Sequence, residues 1–240
     1  MDFHELPIEV KHDIEDQSLS ILEIVREEVL VIGGWAVRAL VGEAHLRFTW
    51  DVDGVLAEED METVERKLVD VGLEPVAREW GVQFHRGYSP KVELQDDVRE
   101  AAERIELSGP RMEERDTPHY FEFDLSEFSA TEIGYHDGRA GVPVRVPPLE
   151  VMAANKLGLP ADSKNNFDVA VLLASSDLDG VVRSITACDD WHEVVLRRME
   201  KRKGRLGDPV RWENLLARDA GIDIGGLMHG LDYIERGLRK

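Results

Sequence analysis

The chain has 240 residues, 49 acidic against 29 basic for a formal net charge of −20, with 42% hydrophobic residues and a single cysteine. That hydrophobic content supports a globular core rather than wholesale disorder, and a lone Cys188 excludes an intramolecular disulfide or a cysteine-based zinc cluster. So acidic a surface repels phosphate backbones, which disfavours broad nucleic-acid binding; no apolar run approaches the roughly 20 residues that span a bilayer, and MDFHELPIEVKHDIEDQ has neither the basic start nor the apolar block of a signal peptide.

The expectation is a cytoplasmic protein with no membrane partner, of one domain or one domain and an appendage. Residues 5–28 read as a helix, with Ile8, Ile14, Leu19, Ile21, Leu22 and Val25 roughly on one face. Val29–Ile32 is a short β-rich run that stops at Gly33-Gly34, and Trp35–Val41 is a helix ended by Gly42. Phe48–Leu56 alternates Phe48, Trp50 and Val52 against Thr49, Asp51 and Asp53, the pattern of a strand with one polar face. Glu58–Val71 is an amphipathic helix that stops at Gly72.

Short strands follow in LEPVARE, VQFHRGY, KVELQ and RIEL, then a polar loop over 108–119, then the strand-like FEFDL and VPVRV. After Pro147-Pro148 strand signals cease. Helices are expected at 149–158, 165–175, 189–203, 209–218 and 226–237. The predicted architecture is an α/β (α+β) domain over 1–147, with a mixed sheet flanked by helices, and a helical C-terminal domain over 148–240.

Val29–Leu56 carries the chemistry. Two glycines end a buried strand and open a helix; seventeen residues after Gly34, a strand carries Asp51 and Asp53. Their i, i+2 spacing puts both carboxylates on one face, about 6–7 Å apart along the chain. Such a pair repels itself unless a cation compensates. A hard divalent ion with positions open to substrate phosphates meets that need, and glycine backbone at a helix N-terminus approaches phosphates closely. Each feature alone is ordinary, since Asp-x-Asp is common on solvated strands and Gly-Gly is a common turn. Their joint order, with Arg47 and Thr49 leading in, is what singles the stretch out.

Gly33-Gly34-Trp35-Ala36-Val37 followed by Arg47-x-Thr49-x-Asp51-x-Asp53 resembles the signature of the DNA polymerase β-type nucleotidyltransferase superfamily. The nearest likeness is to its small bacterial and archaeal branch, which includes lincosamide and aminoglycoside nucleotidyltransferases and abortive-infection toxin nucleotidyltransferases. Val142–Val146, Leu149-Glu150, Lys156 and Asp168 are similar to the family's second block. The resemblance covers roughly residues 29–173 and implies the nucleotidyltransferase fold. It also implies metal-dependent transfer of a nucleoside monophosphate from a nucleoside triphosphate to an acceptor hydroxyl.

By that resemblance Asp51 and Asp53 hold two Mg2+ ions, and Gly33 and Gly34 cradle the phosphates. Arg47 and Thr49 lie at the nucleotide, Lys156 reaches the triphosphate and Asp168 shapes the site. The family's third metal-binding carboxylate has three candidates here: Glu93 first, with Glu106 and Asp124 open. Ser163 stands where the family has an arginine. That departure motivates an alternative: a catalytically inactive, antitoxin-like module that binds a partner protein. The acceptor, whether small molecule, RNA or protein, is not specified by these residues. The basic run from Arg197 to Arg205 reads as a solvated helix face, with an RNA or anionic-acceptor patch as the other reading. His45 and His85 read as rim histidines, while Trp35 and Trp50 read as packing residues.

Overall fold

The computed structural model describes residues 7–49, 51–85, 104–113, 119–188 and 190–240. In chain order these form α1 (Ile8–Val25), β1 (Leu30–Ile32), α2 (Gly33–Val41), β2 (Asp51–Val55), α3 (Met61–Asp70), β3 (Glu74–Arg78), β4 (Gly81–His85) and β5 (Arg104–Ser108). Then come β6 (Arg111–Glu113), β7 (Tyr120–Glu122), β8 (Ser129–Ile133), β9 (Val142–Val146) and α4 (Leu149–Gly158). The remaining helices are α5 (Ser163–Leu173), α6 (Leu178–Thr186), α7 (Trp191–Leu206), α8 (Trp212–Asp219) and α9 (Ile224–Leu238). None of the described helices is long and apolar enough to cross a membrane.

The chain divides into two compact units. One comprises residues 1–39, 48–110 and 124–146; the other comprises 40–47, 111–123 and 147–240.

The first unit is built on a seven-stranded mixed sheet in the order β3-β4-β5-β2-β1-β9-β8. The strand β2 lies inside it, antiparallel to β1 and parallel to β5. One face of the sheet is apolar: Val52, Ile105 and Phe84 lie in register across β2, β5 and β4 and are fully buried. The helix α1 packs on β2, β5 and β9 and against α3, contributing Ile14, Leu19, Leu22 and Val25 to the core. Gly54 on this face is obligatory, since a Cβ there would lie 2.4 Å from Val29 Cγ1.

The opposite face carries Asp51, Asp53, Arg104 and Glu106, because a period of two separates them from their buried neighbours. The mixed sheet with flanking helices agrees with the architecture expected from the sequence. The strand β8, which pairs only with β9 at the sheet edge, was not foreseen. KVELQ and Trp50 lie outside the described residues.

The second unit is helical apart from the β6–β7 hairpin, whose first strand falls where a loop was expected. Three of its described helices begin on aspartate side-chain caps. Asp162 accepts from Asn165 N ahead of α5, Asp177 from Asp179 and Gly180 N ahead of α6, and Asp223 from Gly225 N ahead of α9. The helix α6 was missed from sequence.

Trp191 is buried, donating from Nε1 to Ala154 O at 3.2 Å. Its ring lies where a Cβ on Gly158 would fall. Beside it the Arg202 guanidinium is fully buried and donates to the carbonyls of Lys156, Leu157 and Leu159 (3.1, 3.2 and 2.8 Å) and to Asn166 Oδ1 (2.6 Å). These carbonyls lie at and just past the end of α4, where Lys156 O also accepts from Leu159 N (3.3 Å), so Arg202 acts as its C-terminal cap. Burial lowers its pKa to about 10, and it stays charged at neutral pH.

Replacing Arg202 with Ala removes the donors to the carbonyls of Leu157 and Leu159 and to the Asn166 amide oxygen, and one of the two donors to Lys156 O. The expected cost is on the order of 3 kcal/mol, read as a lower urea midpoint with unchanged slope, while Arg202→Lys, with a point charge in place of a fork, recovers only part of it.

Candidate active site

The sequence-predicted residues fall into two clusters, one in each unit. In the first unit, β1 runs into Gly33 at the start of α2, and Ile32 lies opposite Asp53 on β2. Gly33 adopts φ +67°, and a Cβ there would lie 2.0 Å from Asp53 Oδ2. Only glycine meets both conditions. The first turn of α2 therefore opens against the Asp53 carboxylate, where the helix dipole favours negative charge. Gly34 and Trp35 follow, both buried. Trp35 is a packing residue, with Arg38 over its ring at 5.1 Å.

Across the parallel β2–β5 pair, Asp51 lies opposite Arg104 and Asp53 opposite Glu106. Arg104 bridges the acids: its Nη2 lies 3.0 Å from Asp51 Oδ2 and its Nε 3.1 Å from Glu106 Oε1. All three side chains remain about a quarter exposed. Burial raises the Glu106 pKa, Arg104 opposes this, and the charge of Asp51 adds to the rise. The same face continues through Gln83, opposite Glu106 on β4, which accepts from Arg78 Nε and Nη2.

Of the two candidates for the third carboxylate among the described residues, Glu106 is the one the sheet register brings beside Asp53. Glu93 lies outside the described residues. Asp124 is exposed and accepts from the backbone N and Oγ of Ser126 within its own turn, which lowers its pKa.

Thr49, just before β2, is buried, and its N–H donates to Glu15 Oε1 on α1 (3.3 Å). The other Glu15 oxygen meets Arg38 Nη1 (2.9 Å) and His136 Nε2 (2.5 Å). Glu15 thus ties α1 to α2, to the approach of β2 and to the turn after β8. The sequence reading placed Thr49 at the nucleotide and missed Glu15.

In the second unit, Asp168 on α5 is fully buried. Arg47 clamps it through Nε and Nη2 (2.6 and 2.8 Å), and Lys156 Nζ on α4 lies 2.8 Å from its Oδ2. His45 Nε2 is 3.4 Å from Oδ1. Burial alone would raise the Asp168 pKa. The charges of Arg47 and Lys156, with hydrogen bonds from Arg47 and His45, reverse this and hold it well below the usual carboxylate range.

His45 is therefore a buried residue and not the rim histidine expected. Lys156, expected to reach a triphosphate, is itself buried against Asp168.

The basic run of α7 is a solvated face only at Arg197 and Lys201; its other four basic residues are engaged. Arg198 donates to Gly158 O, Arg202 is the buried cap, Lys203 pairs with Asp232 and Glu235, and Arg205 contacts Glu213 (2.9 Å) and Ser163 Oγ (2.8 Å). The reason is helical phase: Arg202 falls seven residues after Val195 and three after Met199, on the stripe that faces the core.

No family model matches the chain, and no curated protein matches it by sequence. Solved structures do. An H. pylori protein assigned as a nucleotidyltransferase is similar with a TM-score of 0.51 and 15% identity, over 98% of this chain and 98% of that one. The antibiotic-resistance factor ANT(2'')-Ia, solved in complex with adenylyl-2''-tobramycin, gives 0.46 and 18% over 74% of this chain and 95% of that one. The lincosamide antibiotic adenylyltransferase LnuA, lincomycin-bound, gives 0.45 and 18% over 68% and 98%. At such identities the likeness is one of fold, and it rests on the H. pylori structure, matched nearly end to end: the chain has a nucleotidyltransferase-like fold.

Proposed function

We propose that this protein is a nucleotidyltransferase that moves a nucleoside monophosphate from a nucleoside triphosphate to an acceptor hydroxyl, with magnesium held by Asp51 and Asp53. The observation that carries the reading is the acid face of β2 and β5, with Gly33 at the head of α2 pressed against the Asp53 carboxylate.

The donor set suits a hard divalent cation, being carboxylate oxygens alone. Among the described residues, no three His, Cys, Asp or Glu side chains are grouped to hold a metal ion. That is compatible with magnesium, which favours one or two carboxylates plus substrate phosphates over an all-protein cage. When bound, such ions supply charge neutralisation at the transferred phosphoryl group and at the leaving pyrophosphate.

The chain's own residues do the rest. Gly33 and Gly34 present backbone N–H groups to the phosphates, and Asp53 is fixed by its packing on Gly33. The acceptor oxygen attacks the α-phosphorus in line. The bond from that phosphorus to the bridging oxygen breaks and pyrophosphate leaves. The hydroxyl proton passes to Glu106, whose raised pKa makes it a better base than an ordinary glutamate. Arg47 and Lys156 are engaged by Asp168, and this reading does not draw on them.

A second reading keeps the fold without catalysis, as an antitoxin-like partner protein. Its support is that Arg104 already neutralises two of the three acids. Incubation with α-labelled nucleoside triphosphates and cell extract separates the two: label appears on an acceptor in the first and on nothing in the second. Under the enzymatic reading, Asp51→Asn/Asp53→Asn abolishes magnesium-dependent ATP binding by calorimetry, and equal binding by both forms would sink the site assignment.

Glu106→Gln is expected to retain nucleotide binding and to lower the transfer rate 10²- to 10⁴-fold. Asp168→Asn tests a different role, because it leaves Arg47 and Lys156 buried without an anion. The expected loss of stability is about 3–5 kcal/mol at pH 7 by urea denaturation. The wild-type Asp168 pKa is lower folded than unfolded. Its stabilisation is therefore complete above the ordinary value of about 4 and drains away as pH falls further. The variant lacks that acid-limb slope.

A further inference from the structure

We infer that Arg104 is a built-in competitor of the divalent ion: it holds the acid face in the metal-free protein and yields Asp51 when nucleotide brings the ion in. The inference rests on the metal-binding reading of Asp51 and Asp53 and adds an order of loading to it.

Four groups decide the matter. Asp51, Asp53 and Glu106 lie on one face of β2 and β5, and Arg104 sits between Asp51 and Glu106. Arg104 is not a distant balancing charge. Its fork is divided, Nη2 on Asp51 at 3.0 Å and Nε on Glu106 at 3.1 Å. An ion taking Asp51 Oδ2 must first displace a charge-assisted contact.

The geometry makes that displacement feasible. Arg104, Asp51 and Glu106 are each about a quarter exposed, so the Nη2 edge released from Asp51 can turn to water while Arg104 stays beside Glu106. Of the nearby described cations on this face, Arg78 is engaged by Gln83.

Two consequences follow. Free metal binds weakly, because it competes with Arg104 for the same oxygen. A metal arriving with nucleotide binds well, because phosphate oxygens supply the ligands for which Arg104 does not compete. Metal and nucleotide are then coupled, and by linkage each strengthens the other equally.

The test measures Mn2+ affinity of the full chain by electron paramagnetic resonance, with and without a non-hydrolysable ATP analogue. The proteins are wild type, Arg104→Gln, Arg104→Lys and Asp51→Asn/Asp53→Asn. Arg104→Gln is expected to bind Mn2+ about tenfold more tightly than wild type, alone and with nucleotide alike, because the ion displaces Arg104 from Asp51 in both cases and the coupling to nucleotide is unchanged. Arg104→Lys should fall between, since a point charge cannot bridge both carboxylates, and it carries the comparison if circular dichroism shows the Gln variant unfolded.

Metal-free Arg104→Gln should also melt below wild type and recover with Mn2+. Equal Mn2+ affinities for wild type and the Arg104 variants, with weaker binding by the aspartate double variant, overturn the role of Arg104 and leave the metal site standing. Absence of Mn2+ binding in every protein, even with nucleotide, overturns the metal reading and this inference together.

Discussion

Carboxylates withdrawn from water need a cation within a few ångströms, and in a chain of net charge −20 that requirement organises much of the interior. Asp168, fully buried, is clamped by Arg47 and Lys156. Glu15, nearly buried, meets Arg38 and His136. Asp51 and Glu106 share Arg104, and Glu213 takes Arg205. Asp168 and Glu15 take cations remote in sequence, and Asp51 takes Arg104 across a sheet ladder, so these pairs also fix where two stretches of chain meet. Remove the cation and the acid must take up a proton or leave the core.

Where local pattern and tertiary environment agree, the fold was legible. Strand β2 could be read from alternation because its two faces differ: Val52 is buried while Asp51 and Asp53 stay partly open. Helices α4 and α5 begin at Pro148 and Asp162, signals carried by the residues themselves. Three elements escaped for physical reasons. Edge strand β8 reads Ser-Ala-Thr-Glu-Ile, with only Ile133 buried. Strand β6 is three residues long and is defined by pairing with β7, a contact that no local pattern announces. Helix α6 carries Gly180 and several β-branched residues, all weak helix formers.

The same division holds at the site. Gly33, Asp51 and Asp53 announce themselves by spacing, because a strand, a tight helix entry and a second strand leave few ways to bring a glycine against a carboxylate. The third acid cannot be read that way. Glu93 and Glu106 both sit in strand-like four-residue contexts, and only the parallel register of β2 with β5 puts Glu106 beside Asp53. Arg104 was legible in principle, since it precedes Glu106 by two and must share its face. His45 was not, because a single histidine in a polar stretch carries no signature of burial. The basic run of α7 misled as a count of charges, although its helical phase already placed Arg202 among Val195, Met199 and Leu206.

The two aspartates of the pair are also unequal, and the inequality has a structural cause. Asp53 lies against backbone: a glycine with positive φ leaves it a slot the width of a hydrogen, so its carboxylate position is set by covalent geometry at the head of α2. Asp51 lies against a side chain with several rotatable bonds, and its partner is a contact that can be exchanged. A metal bound between them would meet one ligand already in place and one that must be released. On the proposed metal-binding reading, backbone packing would give precision at Asp53 and the arginine control at Asp51. Both arise from strand register, because residue 53 faces Ile32 on β1, next to Gly33 at the end where the helix begins, while residue 51 faces Arg104 on β5.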